Sequence, residues 1–82
     1  MMYSGSIQDR LALHMADHIL CDHFISKKAM ATQLNIPYRS LLRLYQGKQS
    51  EHDVLLIFDG IARYCLKEHI PPVELFHGFC TK

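Results

Sequence analysis

Apolar residues recur along this chain at the three- and four-residue spacing of helices, and the sequence shows no strand-like alternation. The first such segment runs over residues 7–24 without a proline or glycine. Ile7 and Leu11 fall on its mostly polar side, so the predicted first helix has a wider apolar face than a small core needs. Its main apolar arc holds Ala12, Leu13, Met15, Ala16, Ile19, Leu20 and Phe24.

A second, shorter helix is predicted over residues 27–34. Ser26 precedes it and is a suitable N-cap, because its hydroxyl can accept a hydrogen bond from the first helical turn. Asn35 follows it and is one of the few residues besides glycine that tolerates a left-handed backbone. The residues predicted to face inward are Met30, Ala31 and Leu34.

The third helix is predicted over residues 38–46, between Pro37 and Gly47. Proline cannot continue a helix but can open one, and glycine commonly ends one in the left-handed conformation. A fourth helix is predicted over residues 53–69. Its predicted buried face consists of Val54, Phe58, Ile61, Ala62, Cys65 and Leu66.

Two consecutive prolines end the fourth helix, and residues 73–78 are predicted to form a short fifth helix or turn. The prediction is therefore an all-α, five-helix fold in one domain over residues 7–78, with tails at residues 1–6 and 79–82. At 82 residues the chain can build one modest core but not a second sensing or catalytic domain.

Composition narrows the class of protein further. No apolar run approaches the ~20 residues needed to cross a bilayer, and no signal peptide is visible, so we expect a cytoplasmic protein without a membrane partner. The three cysteines, Cys21, Cys65 and Cys80, are an odd number without a C-x-x-C spacing. They disfavour a disulfide framework or a zinc ribbon and fit reduced, mostly buried thiols.

The net charge of +1 hides an uneven distribution along the chain. Residues 27–48 contain five basic side chains and no acidic one, whereas the remainder contains four basic and eight acidic side chains. A single cationic element on an otherwise acidic molecule suits phosphate binding, because it concentrates counterion release on one face. The alternative is a chance cluster of solvated lysines.

The spacing within residues 27–48 predicts a helix-turn-helix. Two helices can cross at a steep angle over a short turn if a small residue lies at the crossing, as Ala31 does. The turn needs a positive-φ residue and an apolar plug, which Asn35 and Ile36 supply. Leu41 and Leu44 then anchor the third helix, leaving an outer face of Tyr38, Arg39, Leu42, Arg43 and Gln46.

These residues resemble the helix-turn-helix of the lambda-repressor and Cro-like regulators, also called the XRE family. The resemblance covers residues 25–76 in the family's order. It rests on Ser26, Lys27, Ala31, Leu34, Asn35, Ile36, Leu41, Leu44 and Gly47, and further on Phe58, Ile61, Ala62, Leu66 and residues 70–75.

The resemblance implies that the third helix enters the DNA major groove. Transferred by position, it makes Tyr38, Arg39, Leu42 and Arg43 the candidates for base contacts, since arginine can bind guanine in a bidentate manner. It also implies phosphate contacts, which set the register of binding, from Lys27, Lys28, Gln46, Lys48 and Gln49. The expected function is that of a sequence-specific DNA-binding transcriptional regulator that acts as a repressor.

Other functions are less well supported by the sequence. His14, His18 and Cys21 have helical spacing that could bind a metal, with Asp22 as a fourth ligand, but this spacing is common by chance in a chain with six histidines. We expect no catalysis, no cofactor and no small-molecule ligand, because no nucleophile-base pair or phosphate-binding loop is present.

A lone module of this size makes few DNA contacts, so we expect a homodimer that pairs on two half-sites. The wide apolar face of the first helix and the segment Val73, Leu75, Phe76 and Phe79 could form its interface. The same apolar surface also suits a helical protein-interaction module that does not bind DNA.

Overall fold

A computed structural model describes residues 6–76, apart from the side chains of Pro72 and Phe76. In order, its elements are α1 (Ile7–His23), α2 (Lys27–Leu34), α3 (Tyr38–Gln46), α4 (Glu51–Glu68) and a 3-10 segment (Pro72–Phe76). The all-α prediction is confirmed for this range, which contains no strand. None of the helices described is long and apolar enough to cross a membrane.

Both long helices begin with a reciprocal capping box. At the start of α1, Ser6 Oγ accepts from the Asp9 amide at 3.2 Å, and the Ser6 amide donates to Asp9 Oδ2 at 3.0 Å. Ser50 and Asp53 repeat the arrangement at the start of α4. Ser6 is therefore a helix cap, although the sequence suggested that it belonged to a loose tail; the rest of that predicted tail lies outside the described residues.

The connection between α2 and α3 has the predicted backbone. Asn35 adopts the left-handed conformation with φ of 58°, and Gly47 ends α3 with φ of 74°. Ile36 lies between these two residues in sequence. Its side chain is buried, as expected of an apolar plug. Pro37 precedes α3 without offering a side-chain cap, and its carbonyl oxygen accepts from the Ser40 amide at 3.1 Å and the Leu41 amide at 3.4 Å.

One core joins all four helices and the 3-10 segment. The largest fully buried apolar side chains come from every element: Ile19, Met30, Leu34, Leu41, Leu44, Ile57, Ile61 and Leu75. The inward faces predicted for α1, α2 and α3 all contribute to it. The cysteines differ from expectation, because Cys65 is buried but Cys21 is exposed.

The buried face of α4 differs from its prediction. Ala62 and Leu66 were expected inside but are exposed, and Phe58 is only partly buried. Ile57 and Gly60 are buried instead. The buried face of α4 is set by the close approach of residue 60 to the connection after α2. A side chain at residue 60 would obstruct this approach.

The last described element begins one residue before the predicted helix over residues 73–78, whose last two residues lie outside the described range. It ends at Phe76 as a 3-10 segment packed against α1, and its Leu75 is fully buried. Residues 77–82, which include the predicted C-terminal tail over residues 79–82, Phe79 and Cys80, lie outside the described residues.

Candidate nucleic-acid interface

The first turn of α3 presents two of the four predicted base-contacting residues to solvent. Tyr38 is 41% exposed and Arg39 is also exposed, immediately after the turn formed by Asn35 and Pro37. Leu42 follows one helical turn later and is partly buried. These three residues retain the accessibility that contact with a ligand requires.

Arg43 lies in a different environment from the one the sequence suggested. Its Nε donates to Asp53 Oδ2 at 2.7 Å and its Nη2 donates to Asp53 Oδ1 at 2.8 Å, so one face of the guanidinium is held in a bidentate pair. The absence of acidic residues from residues 27–48 does not leave Arg43 without an acidic partner. The acid comes from the first turn of α4, ten residues further along the chain.

Asp53 is the centre of a larger network. Besides Arg43, its carboxylate accepts from Ser40 Oγ at 2.8 Å and from the Ser50 amide at 2.9 Å. Asp53 is only 1% exposed and Ser40 is 2% exposed, so the hydrogen bonds satisfy groups that water does not reach. The hydrogen bonds of this network link α3 to α4 on the side of α3 next to Arg39.

The ionisation of the pair follows from this geometry. The hydrogen bonds from Arg43 hold the pKa of Asp53 well below its usual range, with further lowering by the Ser50 amide and the hydroxyls of Ser40 and Ser50, against the opposing effect of burial. The same contact raises the pKa of Arg43. The charge of Arg43 is therefore compensated locally, and the cationic character of this face rests on Lys27, Lys28, Arg39 and Lys48.

Of the predicted phosphate contacts, Lys28, Gln46 and Lys48 are exposed. Lys27 is partly buried, and its Nζ lies 4.5 Å from the centroid of the Tyr45 ring, a cation-π distance. Gln49 is also partly buried, and its Oε1 is shielded from solvent without a hydrogen-bond partner within residues 6–76.

Tyr45 connects this face to α1. Its hydroxyl donates to Asp17 Oδ1 at 3.1 Å, and burial together with Asp17 raises the pKa of Tyr45. The Tyr45 ring, which Lys27 contacts, is thus held at its hydroxyl end by Asp17. Lys27 therefore has a defined position beside α3.

A shallow cleft of about 470 Å³ opens at the start of α3. Tyr38 and Arg39 line one side, and His52 and Asp53 from the start of α4 line the other. The sequence analysis missed these two α4 residues. The spacing of Ser50 and Asp53 is a recognisable capping box, but nothing in it indicates that the carboxylate also binds Arg43.

Comparison of the chain with protein-family models, with curated proteins and with solved structures found no match.

Proposed function

We propose that this chain is a sequence-specific DNA-binding regulator that places α3 in the major groove, similar to the lambda-repressor and Cro-like helix-turn-helix proteins. The observation that carries the proposal is the exposed first turn of α3, where Tyr38 and Arg39 stand on a helix fastened by buried contacts. A rigid helix with accessible arginine and aromatic side chains near its N-terminus suits base recognition.

The proposed roles follow the accessibility of each side chain. Tyr38, Arg39 and Leu42 contact base edges, with Arg39 the strongest candidate because its guanidinium can bind guanine N7 and O6. Arg43 acts as a positioning residue in this proposal, because Asp53 already holds two of its nitrogens. The pair occupies Nε and one hydrogen of Nη2, so the remaining N–H donors on Nη1 and Nη2 stay available to a base or phosphate oxygen while Asp53 orients the guanidinium.

Phosphate contacts are proposed for the cationic residues around α3. Lys28 on α2 and Lys48 just after α3 are exposed, and Lys27 is oriented by Tyr45. Gln46 and Gln49 lie close to Lys48 in sequence and can add amide hydrogen bonds to the backbone. Such contacts fix the register of the protein on DNA without reading the sequence.

The test is salt-dependent binding to a selected duplex, compared between wild type and Arg39→Ala. Three lysine contacts per copy predict a slope of about −3 in log affinity against log salt concentration. Losing a bidentate guanine contact costs about 1–3 kcal/mol, so Arg39→Ala should weaken binding roughly five- to 150-fold and relax preference at one base pair.

The matched control for Arg39→Ala is Arg63→Ala. Arg63 is an exposed arginine on α4 that pairs with Asp59 at 2.9 Å, far from the first turn of α3 in sequence. Its replacement changes the net charge by the same amount and should leave base preference intact. Binding that ignores salt, or equal losses and equal preferences for the two variants, would contradict the proposal.

An apolar stripe along α4 supports a proposed homodimer. Leu55, Phe58, Ala62 and Leu66 follow one another at intervals of three or four residues, so they share one side of the helix. Leu66 is 78% exposed and Leu55 is 63% exposed. A two-fold axis would place this stripe against its own copy, and the pair would present two α3 helices to DNA.

We expect Leu66→Glu to convert a dimer to a monomer, because it places a charge in the apolar contact. Sedimentation equilibrium measures the mass, and circular dichroism should be unchanged because Leu66 is exposed within the single chain. Lys67→Glu, on the adjacent exposed position, is the control and should remain dimeric. A wild-type chain that stays monomeric at concentrations that saturate DNA would rule out this interface.

The same stripe favours the second candidate, a helical protein-interaction module. It borders an apolar groove of about 450 Å³ lined by residues that include Met15, Leu66, Ile70 and Leu75. A chain that binds no DNA at low salt but retains its fold would favour this function over the first.

A further inference from the structure

Three potential metal ligands from distant parts of the chain meet beside α1. His18 and Asp22 lie one turn apart on α1, and Glu74 approaches them from the 3-10 segment. One imidazole nitrogen and one oxygen from each carboxylate all lie within 4.8 Å of one another. The set differs from the one suggested by sequence, because Glu74 takes part and Cys21 does not.

The imidazole of His18 supplies the second observation. Its Nε2 is shielded from solvent and has no hydrogen-bond partner within residues 6–76. The nearest acceptor, Asp22 Oδ2, lies 3.2 Å away, within ion-pair distance but without the geometry of a hydrogen bond. A shielded polar nitrogen facing a carboxylate in this way costs free energy unless something bridges the two atoms.

Neither Asp22 nor Glu74 forms an ion pair with a lysine or arginine within the described part of the chain. The lysine and arginine ion pairs there join Arg43 to Asp53 and Arg63 to Asp59, and neither includes Asp22 or Glu74. Two carboxylates that approach one imidazole therefore form a local concentration of negative charge. Such a site attracts a cation.

We propose that His18, Asp22 and Glu74 bind one divalent transition-metal ion, for which Zn²⁺ is the appropriate probe. An ion at about 2.1 Å from each donor holds neighbouring donor atoms roughly 3.0–3.4 Å apart, and the separation of His18 Nε2 from Asp22 Oδ2 falls in that range. Glu74 is exposed and can close the remaining distance by rotating its side chain. Mixed imidazole and carboxylate donors suit Zn²⁺ and its first-row neighbours.

The consequence of binding is a fixed position for the 3-10 segment. Glu74 immediately precedes Leu75, which is fully buried and lines the apolar groove together with Met15 of α1. An ion shared by α1 and Glu74 would hold that segment against α1 and define the end of the groove. This inference is independent of DNA binding, because its ligands come from α1 and the 3-10 segment.

Calorimetric titration of the full chain with Zn²⁺ tests the site. We expect one equivalent to bind, and His18→Ala and Glu74→Gln each to weaken binding roughly tenfold or more, since loss of a direct ligand should cost at least as much as loss of its supporting contact. Cys21→Ser is the matched control. Cys21 is an exposed residue of the same helix that is not among the three grouped ligands, so its replacement should leave the affinity unchanged.

Thermal unfolding provides a readout that does not depend on the binding isotherm. At a hundredfold excess over the wild-type Kd, Zn²⁺ should raise the Tm of wild type by roughly 10–20 °C and that of Glu74→Gln by about half as much or less. Equal Zn²⁺ affinity in wild type and Glu74→Gln would overturn the proposed ligand set, as would loss of binding in Cys21→Ser alone. Absence of saturable binding in wild type would overturn the site altogether.

Discussion

Replacement of Asp53 by alanine is expected to lower the free energy of unfolding by about 2–4 kcal/mol, the combined cost of a buried hydroxyl left unsatisfied and a weakened helix cap. The carboxylate is almost inaccessible and accepts hydrogen bonds from Arg43, Ser40 and the Ser50 amide. The variant would leave the Ser40 hydroxyl buried without a partner and remove half of the α4 capping box. A loss of this size is a large part of the stability of a small domain.

Urea unfolding followed by circular dichroism measures this loss. The control is Asp59→Ala, because Asp59 is also an aspartate on α4 paired with an arginine but is exposed. Exposed pairs contribute at most about 1 kcal/mol, so the control should change stability little. Similar losses in the two variants would show that the buried network contributes no more than a surface ion pair.

The contribution of Asp53 also depends on pH in a defined direction. Its pKa is lower in the folded chain than in the unfolded chain, so its stabilisation is present at neutral pH and above about pH 4. It is lost as the pH falls below that value towards the folded pKa. The difference in stability between wild type and Asp53→Ala should therefore shrink between about pH 4 and pH 2.

Replacement of Gly60 by valine is expected to destabilise the fold by about 3 kcal/mol. A Cβ atom at this position would lie 2.7 Å from Ile36 Cγ2 and 3.1 Å from the Leu34 carbonyl oxygen. The carbonyl is backbone and Cγ2 is attached directly to the Ile36 Cβ, so neither can move aside easily. Valine adds further methyl groups at the same close contact, which is overpacking at the upper end of its usual cost.

Gly60→Ala separates two opposing effects. Alanine favours a helix interior over glycine by about 1 kcal/mol, whereas overpacking costs about 1–3 kcal/mol. We expect the contact with Ile36 to outweigh the helix preference and stability to fall by about 1 kcal/mol. Lys67→Val, at an exposed position of α4, measures the intrinsic cost of valine and should cost less than 1 kcal/mol. Denaturant unfolding that shows Gly60→Ala to be stabilising would contradict the close approach.

Local features of this chain could be predicted from its sequence. The ends of α2 and α3 and the left-handed residues Asn35 and Gly47 all lie where capping and turn preferences place them. These features depend on a few neighbouring residues, so sequence proximity carries the information. The buried pair Leu41 and Leu44 follows from helical spacing in the same way.

Features that depend on distant contacts could not be predicted. The orientation of α4 depends on how closely Gly60 approaches Ile36, and apolar spacing alone allowed a face that included Leu66. Arg43 has no acidic neighbour one helical turn away in sequence, so its pairing with Asp53 required knowledge of how α3 packs on α4. Glu74 likewise reaches His18 only through the packing of the 3-10 segment on α1.

The attachment of α3 to α4 limits what can be transplanted from this molecule. A peptide ending at Gly47 would contain both short helices and their turn, but it would lack the carboxylate that holds Ser40 and Arg43. Grafting such a peptide onto a new scaffold would leave the orientation of α3 unspecified. The smallest portable unit therefore extends through Asp53, and a designer who wished to shorten it would have to supply an acidic residue from the host.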